Sequence, residues 1–186
     1  MGNIRTFIAL EIPETLKEKL SRVQEKILQN SRGIRWVKPE NIHLTLKFLG
    51  PTNEDTVGEI SGILQQITQG KTRFPFHAEG LGAFPNTTNP KVIWAGIQSD
   101  RRLFSLQKDL EKTLSSAGFP REKKSFNAHL TLGRVKDLRV RRDVRNMLDE
   151  YRHIDLGDYE FSRIVFYESD LQPSGPVYSI LKAVEF

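Results

Sequence analysis

The chain has 186 residues, 38% apolar and 27% charged, with a formal net charge of +5 and no cysteine. This is the make-up of an ordinary globular domain, which excludes a disordered tail, a fibrous repeat and a disulfide scaffold. It also leaves no thiolate to serve as nucleophile or metal ligand. Phe7 to Ile12 reads as a first strand, and Pro13 suits the first turn of a helix. Leu16, Leu20, Val23 and Ile27 then form one apolar helical stripe, predicted to end between Asn30 and Gly33. Ile34 to Val37 is a short extended piece, and Lys38-Pro39-Glu40-Asn41 is a turn. The stretch from Ile42 reads as a strand closed by Gly50-Pro51. Thr52 to Asp55 starts a second helix, carried by Val57, Ile60, Ile63, Leu64 and Ile67. Strands follow at Arg73 to Gly80 and Val92 to Ile97, on either side of the loop Phe84 to Pro90. Leu103, Leu106, Leu110 and Leu114 mark a third helix, and Val140, Val144, Met147, Leu148 and Tyr151 a fourth. Between them lies a strand at His129, and Phe161 to Glu168 and Val177 to Val184 close the chain as strands.

The chemistry concentrates in His43-Leu44-Thr45-Leu46, which recurs as His129-Leu130-Thr131-Leu132. On an alternating strand Leu44 and Leu46 face the core, joined by Phe48, while His43, Thr45 and Lys47 face the other way. An imidazole and a hydroxyl therefore stand side by side off the core, twice. On this reading Lys47 shares the His43 face, where it either meets a ligand or is simply solvated. Phe48 either stacks a base or joins the core. Trp36 and Trp94 are assigned to the core, and His77 and His153 to structural roles.

The two motifs lie 86 residues apart, and a shift of 86 or 87 superimposes much of the chain. Phe7-Ile8-Ala9-Leu10 meets Ile93-Trp94-Ala95-Gly96, and Leu20, Val23 and Ile27 meet Leu106, Leu110 and Leu114. A repeat of this size predicts an α+β fold. The expected form is a single domain over residues 1–186, two-lobed and pseudo-twofold. Its lobes span about 1–91 and 92–186, with strands open to exchange between them. Antiparallel sheets line a central cleft, helices lie outside, and each lobe contributes one histidine. The densest basic run, Arg134 to Arg142, begins just after the second motif. Net positive charge there suits a polyanionic partner. No stretch has the length and apolarity of a membrane span, and no apolar leader opens the chain.

With these residues in place, the chain resembles the 2H phosphoesterase superfamily, and within it the RNA 2′,3′-cyclic phosphodiesterases, also called 2′-5′ RNA ligases. The resemblance rests on Arg5-Thr6-Phe7-Ile8-Ala9-Leu10, on Arg35 to Gly50, on Val92 to Gly96, on His129 to Arg134 and on Ser169 to Tyr178. One departure is Ala128, where relatives commonly carry Pro. The resemblance implies hydrolysis of a terminal 2′,3′-cyclic phosphate on RNA to a 2′-phosphate, without metal or cofactor. It implies that His43 protonates the leaving 3′-oxygen and His129 activates water. By the residues alone the two roles are interchangeable. Thr45 and Thr131 would donate to phosphate oxygens, and Arg134 would bind phosphate. A cytoplasmic monomer acting on RNA is the expectation. Two alternatives stay open, ligation at the same site and a non-catalytic RNA-binding module. Metal chemistry lacks a His-x-His or His-x-x-x-His spacing, and no Lys-x-Asp-Gly adenylation motif is present.

Overall fold

The computed structural model describes residues 2–28, 33–173 and 175–186. The expected end of the first helix lies mainly outside these, as does Ser174 in the Pro173–Pro176 turn. Nine strands and four α-helices appear among the described residues. They are β1 (Asn3–Glu11), α1 (Glu14–Leu28), β2 (Ile34–Trp36), β3 (His43–Asn53), α2 (Val57–Thr68), β4 (Phe74–Phe84) and β5 (Val92–Ser99). After them come α3 (Arg101–Ser116), β6 (His129–Val135), α4 (Arg141–Glu150), β7 (Asp155–Phe161), β8 (Arg163–Gln172) and β9 (Gly175–Glu185).

The strands form two antiparallel sheets, ordered β3-β1-β8-β9 and β2-β6-β5-β4-β7. Each sheet draws on both halves of the sequence. β8, from the second half, extends the β3-β1 pair, and β4, from the first, extends the β6-β5 pair. Cutting the chain near residue 91 would strip each sheet of an inner strand. The helices bury the predicted stripes against the sheets, with Leu16 and Leu20 of α1 and Leu103, Leu106, Leu110 and Leu114 of α3 fully enclosed. The opposite sheet faces carry the polar groups described below.

Two expectations need correction. β7 forms where the sequence pattern predicts no strand. Asp155-Leu156-Gly157-Asp158-Tyr159-Glu160-Phe161 is rich in acids, but Leu156 and Phe161 are buried and Phe161 stacks on Phe76 at 4.0 Å. As an edge strand it exposes the intervening charges to water. The second correction concerns β3, which runs on past Gly50-Pro51 to Asn53 and does not alternate strictly.

Opposite β1, Thr45 pairs with Ala9 but Lys47 with Ile8, leaving Leu46 as an extra residue. Phe48 pairs with Phe7 and Gly50 with Thr6, leaving Leu49 as a second. Each extra residue is a β-bulge, and each reverses which face the following side chains take. Gly50 meets the second with a φ of 75°, a conformation that suits glycine.

The first bulge turns Lys47 inward. Its ammonium donates to both carboxylate oxygens of Glu111 on α3, at 3.0 and 2.9 Å, and to the Pro120 carbonyl at 2.8 Å. All three donors are satisfied and the side chain is only 3% exposed. The expectation that Lys47 shares the His43 face, there to meet a ligand or to be solvated, is thus overturned. Lys47 ties β3 to α3 and the segment beyond it. Removing one member of a buried pair strands the other, at about 3–5 kcal/mol. Lys47→Met should therefore lower stability by about 3 kcal/mol in chemical denaturation and leave KM unchanged in the folded protein. A raised KM with unchanged stability would restore Lys47 to the site.

Candidate active site

β1 presents Arg5, Phe7, Ala9 and Glu11 on the face away from the core. β3 answers with His43 opposite Glu11, Thr45 opposite Ala9 and, after the bulge, Phe48 opposite Phe7. Phe48 thus joins the His43 face, 64% exposed, rather than the core. On the other sheet β6 repeats the device. Thr131 pairs with Trp94 and Gly133 with Ile93, so Leu132 is the extra residue and Arg134 comes onto the Thr131 face. Residues 43–48 and 129–134 share one burial pattern, position for position. Phe48 and Arg134 are thereby equivalents in the repeat, as are Lys47 and Gly133.

β3 and β6 lie against each other across the two sheets. Between the sheets is a cavity of about 320 Å³, lined among others by His43, Thr45 and Phe48 from one sheet and Thr131 and Arg134 from the other. His129 stands two residues before Thr131 on the same strand face but does not itself line the cavity. Lys47 is absent from the wall, as its ion pair requires. Trp36, assigned to the core by sequence, packs against it and also lines the cavity. Trp94 packs over Gly82, where a Cβ would run into the indole, so only glycine fits there. His77 sits apart, with Nδ1 2.8 Å from Asp158, and neither it nor His153 borders the cavity. The acidic neighbours raise the His77 pKa, with the Asp158 hydrogen bond leading.

The two imidazoles are held alike. His129 donates from Nδ1 to the Asn127 carbonyl at 2.7 Å. His43 is hydrogen-bonded by the Asn41 backbone, while its Nε2 lies 3.0 Å from the Thr45 hydroxyl. In the neutral ring Nε2 is then the free lone pair, and Thr45 donates to it. Asn41 and Asn127 are again 86 residues apart. This pairing is present in the sequence, but its role shows only once the ring nitrogens have partners.

The surroundings of the two rings differ. His43 stacks on Phe7 at 4.8 Å and 23°, and takes the edge of Tyr178 at 5.5 Å. Tyr167 lies beyond, 6.0 Å away. Among the described residues His129 has one such neighbour, Phe84, edge-on at 4.9 Å. Burial in this aromatic setting disfavours the charged ring and pulls the His43 pKa down to about 4, with Lys17 adding slightly and the Asn41 bond opposing. Burial also lowers His129, again opposed by its backbone bond. Both rings are therefore neutral in the free protein at pH 7. Sequence reasoning passes over the aromatic cage, because Phe7, Tyr167 and Tyr178 lie far apart in the chain and meet through the β1-β8-β9 pairing.

Of the basic run Arg134 to Arg142, Arg134 and Lys136 reach the cavity. Arg139 instead binds Asp137 at 2.8 Å. Arg5, Arg35 and Lys38 join the wall from elsewhere, and among the described residues no carboxylate lines it. Among the described residues no set of three or more His, Asp or Glu side chains is placed to hold a metal ion, and no helix is long and apolar enough to cross a membrane.

The family model of the LigT-like phosphoesterases matches this chain twice, over residues 10–94 and 96–178. The chain belongs to the LigT-like phosphoesterase family. The two matched stretches adjoin at residue 95. An RNA 2′,3′-cyclic phosphodiesterase of Thermotoga maritima is 37% identical over 185 residues, covering 98% of this chain and 96% of that protein. One of Methanocaldococcus jannaschii is 34% identical over 179 residues, covering 96% and 99%. Among solved structures, a Thermus thermophilus protein superimposes with a TM-score of 0.83 at 25% identity, over 97% of each chain. Escherichia coli LigT complexed with 3′-AMP does so with a TM-score of 0.78 at 21% identity, over 98% of each chain, and shares the fold.

A low native pKa makes His43 a source of acid sensitivity. The unfolded chain binds a proton on this ring below about pH 6.5, whereas the folded ring resists until about 4. Stability should then rise with pH across that window. The melting temperature of the wild type should fall more steeply than that of His43→Gln as pH is lowered from about 6.5 to about 4. Parallel curves would mean that the ring is not desolvated.

Proposed function

We propose that this chain is an RNA 2′,3′-cyclic phosphodiesterase, opening a terminal cyclic phosphate to a 2′-phosphate by acid–base catalysis between two histidines. The observation that carries the reading is the duplicated strand. In each half, alternation puts a histidine and a threonine on one face, the same bulge adds one further side chain to it, and the two strands abut. The names of the relatives point to the same substrate class.

The chemistry follows from the groups present. Water attacks phosphorus in line with the departing ribose oxygen. A neutral imidazole takes the water's proton, and a protonated one supplies a proton to the leaving oxygen. In the proposed assignment His129 is the base and His43 the acid. Each works through Nε2, which in His129 is the nitrogen left free by the Asn127 carbonyl and in His43 is the one beside Thr45. Thr45 turns its hydroxyl from Nε2 to a non-bridging oxygen when substrate arrives, and Thr131 donates to another from the other sheet. Arg134 offers a planar guanidinium to the phosphate. Phe48, exposed on the same face, offers a ring for stacking on the terminal base. Because free His43 is neutral, the acid form must be taken up with the anionic substrate or drawn from a minor population. RNA bearing a cyclic end is the proposed partner, and a cytoplasmic monomer the proposed setting, in keeping with a cysteine-free basic chain.

The test is incubation with a short RNA ending in a 2′,3′-cyclic phosphate, followed by assignment of the product phosphate. A 2′-phosphate is expected, formed equally well in a chelator. Its rate constant kcat/KM reports the free protein and should be bell-shaped, with the acid limb near pH 4 and both limbs below the ordinary imidazole value. A 3′-phosphate product, rescue only by a divalent ion, or an optimum above about pH 7 would contradict the mechanism.

A further inference from the structure

Arg35 of β2 stands directly opposite Arg134 of β6, so both side chains share one face. Like charges placed cross-strand destabilise a sheet unless something neutralises them. Nothing among the described residues does. Arg5, Arg35, Lys38, Arg134 and Lys136 all line the cavity, and among the described residues none has an anionic partner. The Arg35 guanidinium also crosses toward the β8-β9 hairpin, where a Cβ on Gly175 would lie 3.3 Å from Nη2. That hairpin is tied back by the Asn41 amide, which donates to the Pro176 carbonyl at 3.0 Å. Beyond Arg134, Lys136 is the next residue on the cavity wall, about 7 Å along the extended chain. This is of the order of the separation between successive phosphates in a single strand. The far end of β6 therefore carries a second, separate demand for negative charge.

We propose that Arg35 and Lys136 form a subsite for the phosphodiester on the 5′ side of the terminal nucleotide, making an oligonucleotide the preferred ligand over a mononucleotide. This rests on the reading of the site as one for RNA ends. Arg134 holds the terminal phosphate beside Thr131. Arg35, reaching across the mouth of the cavity, and Lys136, one step outward, hold the next.

The test uses two product-like ligands that bind without turnover, a nucleoside 2′-monophosphate and a trinucleotide ending in a 2′-phosphate. Arg35→Gln should lower the ratio of trinucleotide to mononucleotide affinity about tenfold. It should also reduce the log–log salt slope for the trinucleotide by about 0.7. Lys136→Gln should do the same in smaller measure. Arg139→Gln, whose cation is already paired with Asp137, should leave the ratio as it was. An unchanged ratio in both cavity variants, or equal losses for the two ligands, overturns the subsite. Hydrolysis of the cyclic substrate is measured separately on the wild type. Its absence removes the proposed activity, while the affinity ratio still decides the subsite.

Discussion

One extra residue in each of two strands determines what this cavity contains. An alternating strand after His43-Leu44-Thr45 would place Lys47 beside the imidazole and Phe48 in the core. With Leu46 unpaired, the ladder resumes one residue out of phase. Lys47 goes inward to Glu111, and Phe48 comes out over the site. The same step at Leu132 brings Arg134, rather than Gly133, beside Thr131. A bulge is a small local change in pairing, yet here it decides which chemistry each strand presents. The repeat preserves the geometry while varying the residue, an aromatic ring in one half and a guanidinium in the other. A symmetric fold thereby holds an asymmetric site.

The asymmetry extends to the imidazoles. Both are oriented by an asparagine backbone two residues earlier, and both are kept neutral by burial. His43 is the more deeply desolvated, packed on Phe7 and met edge-on by Tyr178. The cavity wall around it is cationic and, among the described residues, has no carboxylate. A neutral His43 in a positive cavity avoids adding charge to charge while the site is free. An arriving phosphate changes the balance, since an anion beside an imidazole favours its protonated form.

Much of this is legible in the sequence because its signals are periodic or repeated. The helical stripes, the strand at each motif and the shift of 86 residues rest on spacing alone, and the helices form where those stripes predict. The placement of Lys47 and Phe48 is not legible, because a bulge leaves no mark in an apolar–polar pattern: Leu46 and Leu132 look like ordinary core positions. β7 is hidden by its acids, which an edge strand tolerates. The aromatic cage and the Arg35–Arg134 pair depend on strand order. Here β2 and β4 join the sheet of the second half and β8 that of the first, an exchange that local pattern does not encode.

The central claim is that one histidine from each half acts on one phosphate. Its most direct test is single-turnover hydrolysis of a cyclic-phosphate RNA by His43→Ala, His129→Ala and the double variant, with melts alongside. Each single change should cost about 10²–10⁴ in rate, and the double change should cost less than the product of the two. His129 does not itself line the cavity in the free protein, which makes its variant the more exacting of the pair. If folded His129→Ala keeps near-full turnover while His43→Ala does not, the site has one working histidine, and the second motif serves the fold alone.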